Sequence, residues 1–184
     1  MQPVTLPVLI VVSGPPGSGK TTLAHRLAHA IGCPAICRDE IKEGMVHTTP
    51  GFTPGQDDEL SRRTNTVFFS ILETLLLASV TTVAEAAFQD RLWRPGLEPL
   101  SELARIRVVH CTVDPELALH RSLRRSAENQ HRRAHPHPGS ADAGEYLARL
   151  RAFERVALAA PSMEVDTTDG YQPALGDLVA FLAP

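Results

Sequence analysis

The sequence predicts an α/β fold: a three-layer sandwich around a five-stranded parallel sheet. Three observations predict it. Apolar runs of strand length alternate with helical patterns, which is the signature of βαβ units. The first run, Val8–Val12, is unbroken, as in a strand buried on both faces. A glycine-rich turn, Gly14 to Gly19, follows it and opens into a helical pattern. Right-handed crossovers then place helices on both faces of the sheet. The 184 residues suit a single domain, 1–184.

The elements follow in order. A helix is expected from Lys20 to Ile31, with Gly32 as its C-terminal cap. A short second strand fits Ala35–Cys37, and a brief helix fits Asp39 to Met45. Two prolines and two glycines between Thr48 and Gln56 indicate a mobile loop. Leu60, Thr64, Val67, Phe68, Ile71, Leu72, Leu75 and Leu76 recur at helical spacing, so a long helix spans Asp57 to Ser79. A third strand fits Val80–Ala84. Asp90 to Leu103 reads as a helix broken at Pro95-Gly96.

The fourth strand fits Ile106–Val113. Asp114-Pro115-Glu116 is a helix start: a capping carboxylate, then proline at the first helical position. That helix carries Arg121 and Arg125 and dissolves into His131–Gly139, rich in Arg, His and Pro. A further helix places Tyr146, Leu150, Phe153 and Ala157 on one stripe. A last strand at Met163–Val165 and a closing helix from Pro173 complete the fold. Phe68, Phe69, Trp93 and Phe153 are expected in the core. Met45 to Gln56 and Phe88 to Trp93 are expected to shape an acceptor pocket.

Composition narrows the function. Apolar residues make up 43% and charged residues 21%, which excludes a disordered chain. The net charge of −3 excludes a general polycation. Three cysteines, an odd number, argue against a disulfide framework. The Cys33/Cys37 spacing lacks the second half of a zinc site. Val8–Val12 is too short for a signal sequence or a membrane span, so a cytoplasmic protein without a membrane partner is expected. Of 18 basic residues only Lys20 and Lys42 are lysine. A lysine retained against that background points to a need for an ammonium group.

Gly14-Pro15-Pro16-Gly17-Ser18-Gly19-Lys20-Thr21 matches G-x-x-x-x-G-K-[ST] in full. Glycines let successive backbone N–H groups turn inward onto phosphate oxygens. The helix that follows adds its positive N-terminal end. Lys20 reaches the β/γ-phosphates as a compact charge, and Thr21 offers a hydroxyl to Mg²⁺. ATP and Mg²⁺ are therefore the expected cofactors, with Thr22 also at the nucleotide. The chain lacks an N-K-x-D base-reading motif, and its third strand ends Ala84-Glu85-Ala86-Ala87 where a ring-forming ATPase has Asp-Glu.

Three segments together resemble a group of AAA-type small kinases. The group contains the kinase domain of bacteriophage polynucleotide kinase, chloramphenicol phosphotransferase and the zeta-toxin-like kinases. The segments are Gly14–Thr22, Ile36-Cys37-Arg38-Asp39-Glu40-Ile41-Lys42, and Asp114-Pro115 followed by Arg121 and Arg125. Val165-Asp166-Thr167-Thr168 is also similar to the group. The resemblance implies a kinase-type phosphate-loop fold with an Arg-rich lid at about 121–141. It implies transfer of the ATP γ-phosphate to a hydroxyl, with Asp39 as general base, Arg38 holding the acceptor, and Arg125 as the lid arginine beside Arg121, Arg124, Arg132 and Arg133. Lys42, expected at the acceptor with Arg38, stands where polynucleotide kinases tend to carry arginine. Glu85 would assist Mg²⁺ or contact the acceptor.

Plainer roles stand beside these: a helix cap for Asp39, a solvated loop carboxylate for Glu85, a basic helix face for the arginines, and a mobile surface segment for His131, His135 and His137. The expected acceptor is a nucleoside, sugar or antibiotic; a polynucleotide 5′-end stays open, and the oligomeric state is unassigned. A nucleotide-hydrolysing switch acting on a protein partner is the alternative.

Overall fold

The computed structural model describes residues 5–55, 58–136 and 143–183. Gln56, Asp57 and the stretch 137–142, including His137, Pro138 and Gly139, lie outside the described residues. Five strands form one sheet: β1 (Val8–Ser13), β2 (Ala35–Cys37), β3 (Thr82–Glu85), β4 (Arg105–Thr112) and β5 (Ser162–Asp166). Their order is β2-β3-β1-β4-β5, and every pairing is parallel. The helices are α1 (Lys20–Ile31), α2 (Arg38–Val46), α3 (Glu59–Leu77), α4 (Asp90–Leu97), α5 (Pro115–Glu128), α6 (Ala143–Arg151) and α7 (Leu175–Leu182).

The core has two halves, one on each face of the sheet, and β1 feeds both by alternation. Leu9 and Val11 pack with Phe68, Leu72 and Leu76 of α3 and with Trp93 and Leu97 of α4. Val8, Ile10 and Val12 pack with Leu23, Ala24 and Leu27 of α1 and Leu178 of α7. Burial of β1 on both faces is why its sequence is continuously apolar. No helix among the described residues is long and apolar enough to cross a membrane.

Several local expectations shift. The break in Asp90–Leu103 does not fall at Pro95-Gly96: α4 runs through both, and a 3-10 helix, Glu98–Glu102, follows. Gly96 faces Phe69, where a Cβ would come within 2.4 Å of the ring. Tight packing against α3 holds the helix together across its proline. The helix α6 ends at Arg151, so Phe153 and Ala157 leave the expected stripe, and Phe153 is only half-buried. Phe88 and Trp93, expected at the acceptor pocket, are core residues. Both are buried against Phe68, with the Phe88 and Trp93 ring centres 4.9 Å apart. The Arg/His/Pro stretch does not dissolve at once; a 3-10 helix, Gln130–Ala134, continues from α5.

Candidate active site

The glycine-rich turn joins β1 to α1 at the carboxyl edge of the sheet. Gly17 has φ +79°, and a Cβ there would lie 2.2 Å from the Ala118 carbonyl oxygen of α5. Only glycine fits this close approach between the turn and α5. Gly19 caps α1 in the left-handed region, and Thr167, just after β5, donates its hydroxyl to the Ser18 carbonyl at 2.7 Å. The turn is thus fastened from α5 and from the end of β5. Asp114 caps α5, accepting from the amides of Glu116 and Leu117 at 3.0 Å.

Lys20 is 7% exposed, with Nζ 3.4 Å from the Pro15 carbonyl and 3.8 Å from Oε1 of Glu85. Glu85 closes β3 and is 2% exposed, so it is no solvated loop residue. Its Oε2 accepts from the Thr21 hydroxyl at 3.2 Å. Burial pushes its carboxyl pKa up, with the charge of Asp39 adding to the effect; Lys20, Thr21 and Cys37 oppose it. A hydroxyl and a carboxylate at this point form an all-oxygen donor set that fits Mg²⁺.

Asp39 lies in the first turn of α2, immediately beyond β2. It makes no cap bond to the helix; its oxygens meet cations. Oδ1 accepts from Arg38 at 3.2 Å and Oδ2 from Arg132 at 3.3 Å. Burial alone would raise its pKa. The charges of His135, Arg132, Lys20 and Arg38 outweigh that and hold it well below the usual carboxylate range. Glu43, one turn on, accepts from the same Arg132 nitrogen at 3.2 Å and lies 3.2 Å from His135 Nε2. His135 therefore packs against α2 beside Asp39 and Glu43, and is no free surface residue. Sequence reasoning missed Glu43; its spacing of four from Asp39, which puts both on one helix face, could have found it.

The basic residues divide by geometry. Arg38 bonds Asn65 Oδ1 at 3.0 Å and the Ser61 carbonyl at 3.3 Å, so it ties α2 to α3 and orients Asp39. Lys42 departs from the expected acceptor role. It is 1% exposed, and Nζ donates to Asp58 Oδ2 and Ser61 Oγ, each at 2.9 Å. Its ammonium is fully used inside the α2–α3 interface.

Arg121 donates to the carbonyls of Thr167 and Thr168 at 3.0–3.1 Å, pinning α5 to the turn after β5. Arg124 forms an exposed pair with Glu128 at 3.9 Å, and Arg133 is exposed. Arg125 is half-buried, and its side chain has no hydrogen bond or ion pair among the described residues. Burial and the nearby Arg132 lower its pKa, while Asp39, Glu85 and Glu43 favour its charge.

A cleft of about 490 Å³ lies beside the turn, lined by Gly17, Gly19, Thr22, Arg26, Arg121, Arg125 and Tyr171 among others. Arg26 stacks over the Tyr171 ring at 5.5 Å. Neither Arg26 nor Tyr171 carried a sequence signal: the first is one polar position on α1, and the second sits in a loop far along the chain.

Solved structures with the same architecture include an inferred kinase from Chloroflexus aurantiacus (22% identity, 96% of this chain and 97% of that one, TM-score 0.83). They also include Kti12 from Chaetomium thermophilum in complex with ADP-AlF3 (15% identity, 97% and 100%, TM-score 0.67). A gluconokinase from Sinorhizobium meliloti matches at 20% identity over 97% and 93%, with a TM-score of 0.57. No curated protein matches the chain. The family model described as the AAA domain matches residues 9–150, a span that holds the phosphate loop, Asp39, Glu85 and the arginines of α5. The chain therefore belongs to the AAA domain family.

Proposed function

We propose that this protein transfers the γ-phosphoryl group of ATP to a hydroxyl of a small molecule. The observation that carries the reading is Asp39: a carboxylate just past β2, in the field of Lys20 and under two side chains of the segment after α5. Lys20 and the backbone of Gly14–Thr22 hold the triphosphate, and the 490 Å³ cleft takes the base. Thr21 and Glu85 would hold Mg²⁺, which would supply charge neutralisation for the triphosphate. Arg125, with no anionic partner of its own, meets the charge that develops on the transferring group.

Asp39 accepts the hydroxyl proton of the acceptor as that oxygen attacks. His135, Arg132, Lys20 and Arg38 all depress its basicity. An acceptor that displaces Arg132 from Oδ2 exposes the carboxylate and raises its proton affinity at the moment of transfer. Acceptor chemistry of the gluconokinase type makes sugar acids a first choice for a test panel, beside nucleosides and a 5′-hydroxyl oligonucleotide.

Asp39→Asn tests the reading. ATP affinity should stay within about twofold, while transfer falls by ~10²–10⁴, the usual range for a lost general base. Near-normal transfer in Asp39→Asn would remove Asp39 from the chemistry. ATP turnover by the native protein that no acceptor in the panel raises would identify the nucleotide-driven switch instead.

A further inference from the structure

Where α1, the end of β2 and the start of α2 meet, three metal-ligating side chains converge to which the proposed phosphoryl transfer assigns no role. Cys37 ends β2, and its Sγ lies 3.6 Å from Nε2 of His25 on α1. The same nitrogen lies 2.8 Å from Oε1 of Glu40, in the first turn of α2. The ligand atoms of all three lie within 4.8 Å of one another. We propose that His25, Cys37 and Glu40 form a binding site for a borderline-soft divalent cation, Zn²⁺ fitting best, separate from the Mg²⁺ position at Thr21.

The donor set supports Zn²⁺ over Mg²⁺ or Ca²⁺, because a thiolate and an imidazole are ligands that hard cations avoid. Tetrahedral Zn²⁺ with ordinary Zn–S, Zn–N and Zn–O lengths keeps its ligand atoms about 3.3–3.7 Å apart. The sulfur–nitrogen distance already lies in that range. The nitrogen–oxygen distance must open by about half an ångström, which a half-exposed glutamate achieves by a small side-chain rotation.

Access is also suitable. The side chains of His25 and Glu40 are 50% and 49% exposed, so a cation enters from solvent and retains water in the fourth position. Cys37, 2% exposed, forms the floor of the site. Burial, then the charges of Glu85 and Glu40, push its thiol pKa far up, so the metal-free residue is a protonated thiol. On binding, the S–H bond breaks, sulfur donates its electron pair to the cation, and the proton leaves to solvent. Cys37 pairs with Glu85 in the β2–β3 register, so the site adjoins the residue whose carboxylate accepts from Thr21.

The experiment is a titration of the native chain with Co²⁺ alone, without nucleotide, followed by Zn²⁺. The expected result is a thiolate-to-cobalt charge-transfer absorption that saturates at one equivalent and is abolished by Zn²⁺. Cys33→Ser should keep the band and Cys37→Ser should lose it. His25→Ala and Glu40→Gln alter exposed positions that do not endanger folding, and each should weaken Co²⁺ binding by at least about 10-fold. Absence of the band in the native protein overturns the proposal. So does its persistence in Cys37→Ser, or unchanged affinity in both His25→Ala and Glu40→Gln.

Discussion

Lys42 illustrates how one residue can stabilise the site without touching substrate. Its ammonium, Asp58 and Ser61 form a closed set between α2 and α3, with the Phe52 ring 5.4 Å from Nζ. Removing one partner of a buried pair leaves the other charge uncompensated. Lys42→Ala should therefore cost about 3–5 kcal/mol in a urea titration. The pH dependence has a definite sign. Burial would raise the pKa of Asp58, but Lys42 and the amides of Ser61 and Gly55 lower it from 3.8 to about 2. A depressed carboxyl stabilises the fold fully above its unfolded pKa, and the contribution is lost as pH falls through the folded value. Native stability should accordingly drop between about pH 4 and pH 2, and this acid-side loss should shrink in Lys42→Ala. Equal acid profiles for the two proteins would show that the pair carries no linkage.

Among the elements, the docking of α5 onto the phosphate turn governs the nucleotide site. Gly17 abuts the Ala118 carbonyl, Arg121 grips the turn after β5, and Asp114 sets where α5 begins. In Gly17→Ala the methyl group meets backbone on a helix that cannot yield locally. The left-handed φ adds strain of order 1–3 kcal/mol. The variant should remain folded by circular dichroism yet lose ATP binding by more than tenfold, because the turn can relieve the clash only by moving off its phosphate-binding shape. Calorimetric titration with ATP measures this; native affinity in Gly17→Ala would show that the turn tolerates the displacement.

At the scale of the whole molecule, segments far apart in sequence meet at one cleft. The turn, α1, α5 and the loop after β5 all border one cleft. Binding to the folded state alone stabilises by about 2.7 kcal/mol at 100 times Kd. For a chain of this size that is roughly 5–10 °C in Tm. Thermal denaturation with and without ATP should show the rise in the native protein. Lys20→Ala should abolish most of it, since the β/γ-phosphates lose their ammonium partner. An undiminished rise in Lys20→Ala would place the triphosphate elsewhere.

What the sequence determined by itself was encoded locally, although not every local signal held: the break expected at Pro95-Gly96 did not form. Burial on both faces forces a continuous apolar strand, so β1 was legible. A phosphate-binding turn needs glycine and lysine at set intervals, so Gly14–Thr21 was legible, as were the Gly32 and Asp114 caps. The tertiary structure decided what depends on contacts between distant segments. Whether Lys42 faces a substrate or Asp58 depends on how α3 packs on α2, sixteen residues away. Whether Arg132 and His135 wave in solvent or cover Asp39 depends on where a segment some 93 residues on returns to α2. A side chain's charge and reach are written in its own identity. Its partner is not, because burial and electrostatics are properties of the space that the folded chain encloses.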